Sequence, residues 1–405
     1  MEGQGSIGVV VPMPVVFVHG VGNHDEEKAR NALRFRLKMF SKFLLPVINT
    51  VPREDAVLLP WWGKEGALPR WGHACRPGLT ESLGGVDDAH LVQLLAAAEP
   101  PQSGRTNDVI LDTARDSLAD AVDLLYSALD VDSCSDDELE ELATLAVPLA
   151  AYCERYRQFD PAQRFWDDVG DDSSLVEAFV GAGREPGPSG ETLGGGGALS
   201  RAGKWFEGTA RQLQIALVGT PTRLSAGGLR RLTDDRMQEF LGDVFKYLAM
   251  RGTPENPGRI VEIVLDDLRT AVDGAPDGEP LVVVAHSMGG DIVYDIASHF
   301  DPKLVIDVLV TVGSQVGLFA ECSAFHGVPT DLPAPDRRKV PARANIRTWI
   351  NVVDRSDILC YSVKPVFEGA EDYMYESGAL WAHAAYFKQP NFYSRLAKRV
   401  QAAVT

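Results

Sequence analysis

The chain has 405 residues, 45% of them hydrophobic and 24% charged, a balance that supports a sizeable core without disulfide or metal staples. Its formal net charge of −18 at pH 7 argues against nucleic acid as the main partner, because a phosphate backbone is recognised by a basic surface. The five cysteines, Cys75, Cys134, Cys153, Cys322 and Cys360, are scattered without metal-type spacing and read as reduced thiols of a cytosolic protein.

At the N-terminus, residues 1–11 carry no basic segment and no small-residue cleavage site, so no leader is expected. Val15-Val16-Phe17-Val18 is predicted as a buried strand ending in His19-Gly20, and the apolar run containing it is too short to span a bilayer. A helix follows over 26–45, with Leu33, Leu37, Phe40 and Leu44 at helical spacing. A second strand over 56–59 runs into Pro60-Trp61-Trp62-Gly63.

Between 63 and 233 this rhythm stops. Segments 111–129 and 136–156 are predicted helices in a strongly acidic region, which carries a net charge of −15 between Asp108 and Glu177. The Gly/Pro/Ser-rich stretch 181–197 reads as a mobile linker. From Ala198 to Arg231 the sign reverses to a net +5. Within it, 198–218 combines Trp205, Phe206, Leu213 and Ile215 with Arg201, Lys204 and Arg211. Such a basic amphipathic helix either packs its apolar face on the protein or makes peripheral contact with an anionic membrane.

Helices are predicted over 234–250 and 259–272, then a fully buried strand over 281–284 and a helix over 289–300. Strands at 305–312 and 346–353 and a closing amphipathic helix at 391–404 complete the chain. Uninterrupted Val/Ile/Leu strands alternating with helices specify an α/β fold with a mostly parallel sheet covered on both faces. The expected organisation is a core from 1–62 and 234–405 interrupted by a helical insertion at 63–233. No later stretch is long and apolar enough for a transmembrane helix, and the reading is of a soluble, cytoplasmic protein.

The strongest chemical signal is Val282-Val283-Val284-Ala285-His286-Ser287-Met288-Gly289-Gly290. A buried strand enters a small-x-Ser-x-Gly turn and leaves as a helix, the pattern that holds a nucleophilic serine on a strained corner at a helix N-terminus. His286, inside the turn, is assigned to packing. No HExxH, paired Cys or clustered His indicates a metal, and the glycines at 194–197 lack the Lys-Ser/Thr of a phosphate loop, so no cofactor is expected.

These features resemble a lipase- or esterase-type α/β-hydrolase over roughly 12–62 and 234–405. Asp243-Val244-Phe245-Lys246-Tyr247, the segment from Val312 to Phe319 and Trp349-Ile350-Asn351 resemble intracellular phospholipase-like branches. The resemblance implies Ser287 as nucleophile, with an acid and then a histidine downstream. It places the acid at Asp357, in an Asp-Ile-Leu context, with Asp354 as the alternative. His383 is the only histidine downstream of Asp357 and is assigned as the base. His19-Gly20-Val21-Gly22 resembles an oxyanion loop, so the backbone amides of Val21 and Met288 become the oxyanion donors, with His19, Gly20 and Gly289 supporting them.

The expected activity is hydrolysis of a carboxylic ester of an acyl lipid through a Ser-His-Asp triad. A thioesterase or acyltransferase acting on a carrier-bound acyl group is the second enzyme reading. A partner-gated effector, or a scaffold whose acidic insertion binds a protein, is the third.

Overall fold

Runs of β-branched residues build the sheet. The computed structural model describes residues 15–48, 56–70, 108–157, 166, 169–182, 205–206, 208–209, 226–274, 279–377 and 382–405. Its strands are β1 (Val15–Val18), β2 (Val57–Leu58), β3 (Gly252–Thr253), β4 (Asn256–Pro257), β5 (Val282–His286), β6 (Ile306–Val312), β7 (Ile346–Val353) and β8 (Ala370–Met374). Strands β3 and β4 form a small antiparallel hairpin. The other six make one sheet in the order β2-β1-β5-β6-β7-β8, every pairing parallel.

All four residues of β1 and all of β5 are buried, which requires cover on both faces. Strand β8, of sequence AEDYM, is buried fully only at Ala370. Its polar residues suit the edge position, where a charged strand resists further pairing.

Strand β2 lies on one side of β1 and β5 on the other. The strand order therefore reverses between β1 and β5, and a crevice opens at such a switch point beyond the carboxyl ends of the strands. The residues leaving those two ends are His19-Gly20 and Ser287.

The first helix, α1 (Glu26–Phe43), starts at Asp25, whose carboxylate accepts from Lys28 N at 3.1 Å. This satisfies an otherwise free first-turn donor. The phenyl ring of Phe17 in β1 meets Phe40 of α1 at 5.5 Å and Phe387 at 5.1 Å, and Phe40 meets Tyr393 at 5.4 Å. Aromatic packing thus joins the first and last helical segments of the chain to the sheet.

The chain divides into two compact units. One comprises Met1–Glu65, Leu248–Phe387 and Phe392–Thr405, and the other Gly66–Tyr247 and Lys388–Asn391. The second is helical, with α2 (Val109–Asp116), α3 (Leu118–Ala128), α4 (Asp136–Arg157), α5 (Asp172–Ala182) and the greater part of α6 (Ala226–Met250). Leu125, Tyr126, Leu139, Leu142, Leu149 and Phe179 are buried there, and the Tyr126 hydroxyl donates to the Leu142 carbonyl at 2.8 Å. The helix expected over 111–129 is in fact two. Ser117 takes an extended backbone (φ −154°, ψ 114°) and its hydroxyl accepts from Asp120 N, so it caps α3 instead of continuing α2.

In the sheet-containing unit follow α7 (Arg259–Gly274), α8 (Met288–Asp295), α9 (Val316–Glu321), α10 (Ala382–Ala385) and α11 (Pro390–Val404), whose first two residues are the exception. The helix expected over 289–300 ends early: α8 passes into a π-helical turn at Ile296–Phe300. The stretch expected as a linker from 181 begins inside α5, and its remainder from 183 lies outside the described residues. So do most of 198–218, His73, His90 and Cys75. Among the described residues no helix is long and apolar enough to cross a membrane.

Candidate active site

Ser287 occupies the corner between β5 and α8 with φ 53° and ψ −133°, a left-handed conformation that costs a non-glycine residue of order 1–3 kcal/mol. The corner is tied down on both sides of its peptide. Ser287 N donates to the Val312 carbonyl at 3.0 Å, and the Ser287 carbonyl accepts from Gly290 N and from Ser314 Oγ, both at 2.9 Å. Strain of this kind persists only where the surroundings hold it.

Two glycines permit the approach of β1 to this corner. A Cβ on Gly289 would sit 2.4 Å from the Val18 carbonyl oxygen. One on Gly20 would sit 2.7 Å from Ser287 Cβ and 3.2 Å from Ser287 Oγ. Gly20 therefore lies against the serine. Its carbonyl accepts from His19 Nδ1 at 2.7 Å and from Asn23 Nδ2 at 2.9 Å. In a trans peptide the following N–H points the opposite way, so these two bonds also set the direction of the Val21 amide.

His19 is buried and stacks on Trp62, with ring centres 4.8 Å apart and planes at 12°. Trp62 Nε1 donates to the His19 carbonyl at 3.0 Å, and Trp61 Nε1 donates to the Asn23 carbonyl at 2.8 Å. The tandem tryptophans after β2 thus clamp the loop after β1.

At the carboxyl end of β7 the two acidic candidates separate. Asp357 Oδ2 and Oδ1 lie 2.9 and 3.1 Å from His383 Nδ1. Asp357 also accepts from the Tyr386 hydroxyl at 3.0 Å and from Leu359 N at 2.9 Å. Asp354 instead accepts from Ser356 N and Ser377 N, both at 2.8 Å. Asp357 meets the histidine, and Asp354 shapes the loop. Tyr386 is buried beside this carboxylate, and burial first, then the Asp357 charge, hold its phenol protonated far above the usual range. It therefore stays a donor to Asp357.

With Asp357 on Nδ1, the Nδ1–H tautomer leaves His383 Nε2 as an acceptor. Ser287 Oγ and His383 Nε2 are both shielded from solvent, and neither has a hydrogen-bond partner among the described residues. The serine and the imidazole are therefore not bonded to each other in this state. Such contacts are often long until substrate arrives.

His286 does more than the packing expected of it. Its Nε2 donates to the backbone carbonyl of His383 at 2.8 Å, and its ring lies 4.8 Å from the His383 ring and 5.3 Å from Phe387. Burial, reinforced by His383 and Arg36, pushes its pKa well below the usual value, so it is a neutral Nε2–H donor. Sequence alone did not identify the roles of His286, Trp61, Trp62, Ser314 and Asn23. In the sequence Trp61-Trp62 stands only as a run after the second strand.

Met288 is buried at the start of α8, where free backbone donors and the helix dipole favour negative charge. Among the described residues no group of three or more His, Cys, Asp or Glu side chains is placed to hold a metal. The arrangement therefore contains a serine on a strained turn, a carboxylate-oriented imidazole and a glycine loop against the serine, all at the carboxyl edge of one sheet. No family model, curated protein or solved structure matches the chain.

Proposed function

We propose that this protein is a serine hydrolase of the α/β-hydrolase type that cleaves a carboxylic ester of an acyl lipid. The observation that carries the reading is Ser287 at φ 53° between β5 and α8, at the same sheet edge as the Asp357–His383 pair. The strand order, with the serine strand β5 inside the sheet and beside the switch point, supports the same reading. The choice of an acyl lipid rests on the resemblance of the motifs to lipases.

In this mechanism His383 Nε2 takes the Ser287 proton as Oγ attacks the ester carbonyl. Asp357 holds the Nδ1–H and stabilises the imidazolium that forms. The amides of Val21 and Met288 receive the oxyanion, the first aimed by the two hydrogen bonds on the Gly20 carbonyl and the second favoured by the start of α8. His383 then passes the proton to the leaving alcohol, and water attacks the acyl-enzyme with His383 again as base. Closing the Ser287–His383 contact is the one movement the mechanism requires.

A fluorophosphonate probe, which captures activated serines, tests the proposal directly. Labelling of the intact protein that disappears in Ser287→Ala and His383→Ala is the expected result. Labelling that survives Ser287→Ala, or its absence from the protein even with 63–233 shortened, would overturn it.

A further inference from the structure

Three consecutive residues after β6, Gly313-Ser314-Gln315, each touch a different part of the candidate site. A Cβ added to Gly313 would lie 2.8 Å from Asp357 Oδ2 and 3.3 Å from His383 Nδ1, so this residue packs directly on the acid–imidazole pair. The Ser314 hydroxyl donates to the Ser287 carbonyl at 2.9 Å, and the Ser314 carbonyl accepts from Tyr361 N at 3.0 Å. Gln315 is 0% exposed. Its Nε2 donates to two backbone carbonyls, that of Gly313 at 3.0 Å and that of Leu359 at 2.5 Å. Two acceptors on one atom identify it as the amide nitrogen, and both of its protons are used.

The second of these bonds reaches Asp357 through one peptide plane. The Leu359 carbonyl and the Cys360 N–H belong to the same peptide unit and point opposite ways in its trans form. Gln315 holds the carbonyl, and the N–H donates to the Asp357 backbone carbonyl at 3.1 Å. The preceding peptide supplies Leu359 N, which donates to Asp357 Oδ1 at 2.9 Å. The turn over 357–360 thus grips Asp357 by side chain and backbone, and Gln315 grips the turn. Ile358 is 76% exposed and Leu359 only half-buried, so the turn has little apolar packing and depends on its hydrogen bonds. Gln315 Oε1 is shielded from solvent and has no hydrogen-bond partner among the described residues. A buried acceptor left unmet works against folding, so the contribution of this amide is positional. Local rules broken in this way concentrate at functional sites.

We propose that Gln315 is a positioning residue for the candidate active site. By tying the 357–360 turn to the loop after β6, it sets the Asp357 carboxylate against His383. It acts through Leu359 and Cys360 and not on the reacting atoms. Ser314 beside it holds the serine corner, so one short loop fixes both the nucleophile and the acid. The role rests on the hydrolase reading given above.

Gln315→Met keeps the length of the side chain and removes both donors. On an activated ester it is expected to lower kcat about tenfold with KM little changed. In an Asp357→Asn background the same substitution should cost about twofold or less, because the group it positions is already lost. A purely structural role would cost the same in both backgrounds. Hydrogen exchange over 357–361 reads the clamp without any need for activity and should quicken in Gln315→Met. If that variant fails to fold, Gln315→Asn, too short to reach both carbonyls, takes its place with the same expectations. A kcat equal to wild type, equal losses in the two backgrounds, or unchanged exchange over 357–361 would overturn the role. A wild-type protein that neither cleaves an activated ester nor takes the fluorophosphonate label fails differently. That result removes the hydrolase reading and the positioning role with it, whatever the exchange over 357–361.

Discussion

His286 and His383 are joined by a hydrogen bond from the imidazole of the first to the backbone of the second, 2.8 Å long across 97 positions of sequence. The residue before the serine therefore holds the segment that carries the histidine. Because His286 is neutral, it can lie 4.8 Å from His383 without opposing the imidazolium formed during ester cleavage. His286→Phe keeps the packing against Phe387 and removes the donor. It is expected to lower kcat about tenfold, equivalent to ~1.4 kcal/mol, with KM little changed. His286→Gln, which returns an N–H near the position of Nε2, should recover most of the loss. Steady-state kinetics on an activated ester reads both, and a kcat equal to wild type in His286→Phe would remove the positioning role.

Asp357 and Asp354 are three residues apart and have different consequences. Asp357→Asn replaces the acceptor on His383 Nδ1, favours the wrong tautomer and is expected to reduce kcat by about 10⁴-fold. Asp354→Asn leaves His383 untouched. One of its two backbone donors, Ser356 N or Ser377 N, would face an amide N–H₂, at a cost to folding of about 1–3 kcal/mol. Urea unfolding beside kinetics separates the two. A large activity loss in Asp354→Asn with stability intact would reverse the assignment.

Gly20→Ala tests the loop without touching any ionisable group. The new methyl would lie 2.7 Å from Ser287 Cβ, and the backbone of β1 or of the serine corner must shift to admit it. Fluorophosphonate labelling should fall by about tenfold or more, since displacement of the Val21 amide removes part of the oxyanion site. Far-UV circular dichroism should stay native. Undiminished labelling would mean that the loop after β1 does not contribute to the chemistry.

Much of the sheet was legible in the sequence because its strands are locally uniform. Val15 to Val18 and Leu281 to Val284 leave no face for solvent, so only a doubly covered parallel sheet suits them. Strand β8 escaped notice because AEDYM is the polar edge of that sheet and has no apolar pattern to read. The break at Ser117 was hidden by a helical apolar period that continues across it, and only its cap geometry reveals two helices. In the candidate site, turn chemistry pointed to Ser287, and the resemblance to α/β-hydrolases implied His383 and Asp357, with Asp354 as the alternative. The contacts of Trp62 with His19, of His286 with His383 and of Tyr386 with Asp357 bridge 43, 97 and 29 positions. No local pattern encodes such pairings.

Asp291, four residues after Ser287 in the first turn of α8, gives the protein a pH dependence of known sign. It is 0% exposed, and burial, with the Asp295 carboxylate adding to it, raises its pKa well above the usual value. Its own backbone N–H and that of Gln315 oppose the shift. Asp295 itself is paired with Arg251 at 2.8 Å, so its negative charge remains close by. Below about pH 4, the ordinary carboxylate range, Asp291 is protonated in both the folded and unfolded chain and costs nothing differential. As pH rises the unfolded chain ionises first, so stability is lost progressively until the folded group ionises as well. Asp291→Asn removes this loss, because the amide is close to the neutral acid in shape. The variant and wild type should therefore unfold at similar urea concentrations near pH 4 and diverge at neutral pH, with the variant the more stable. A gap that is constant with pH, or one that opens toward acid, would show that Asp291 is ionised in the folded protein.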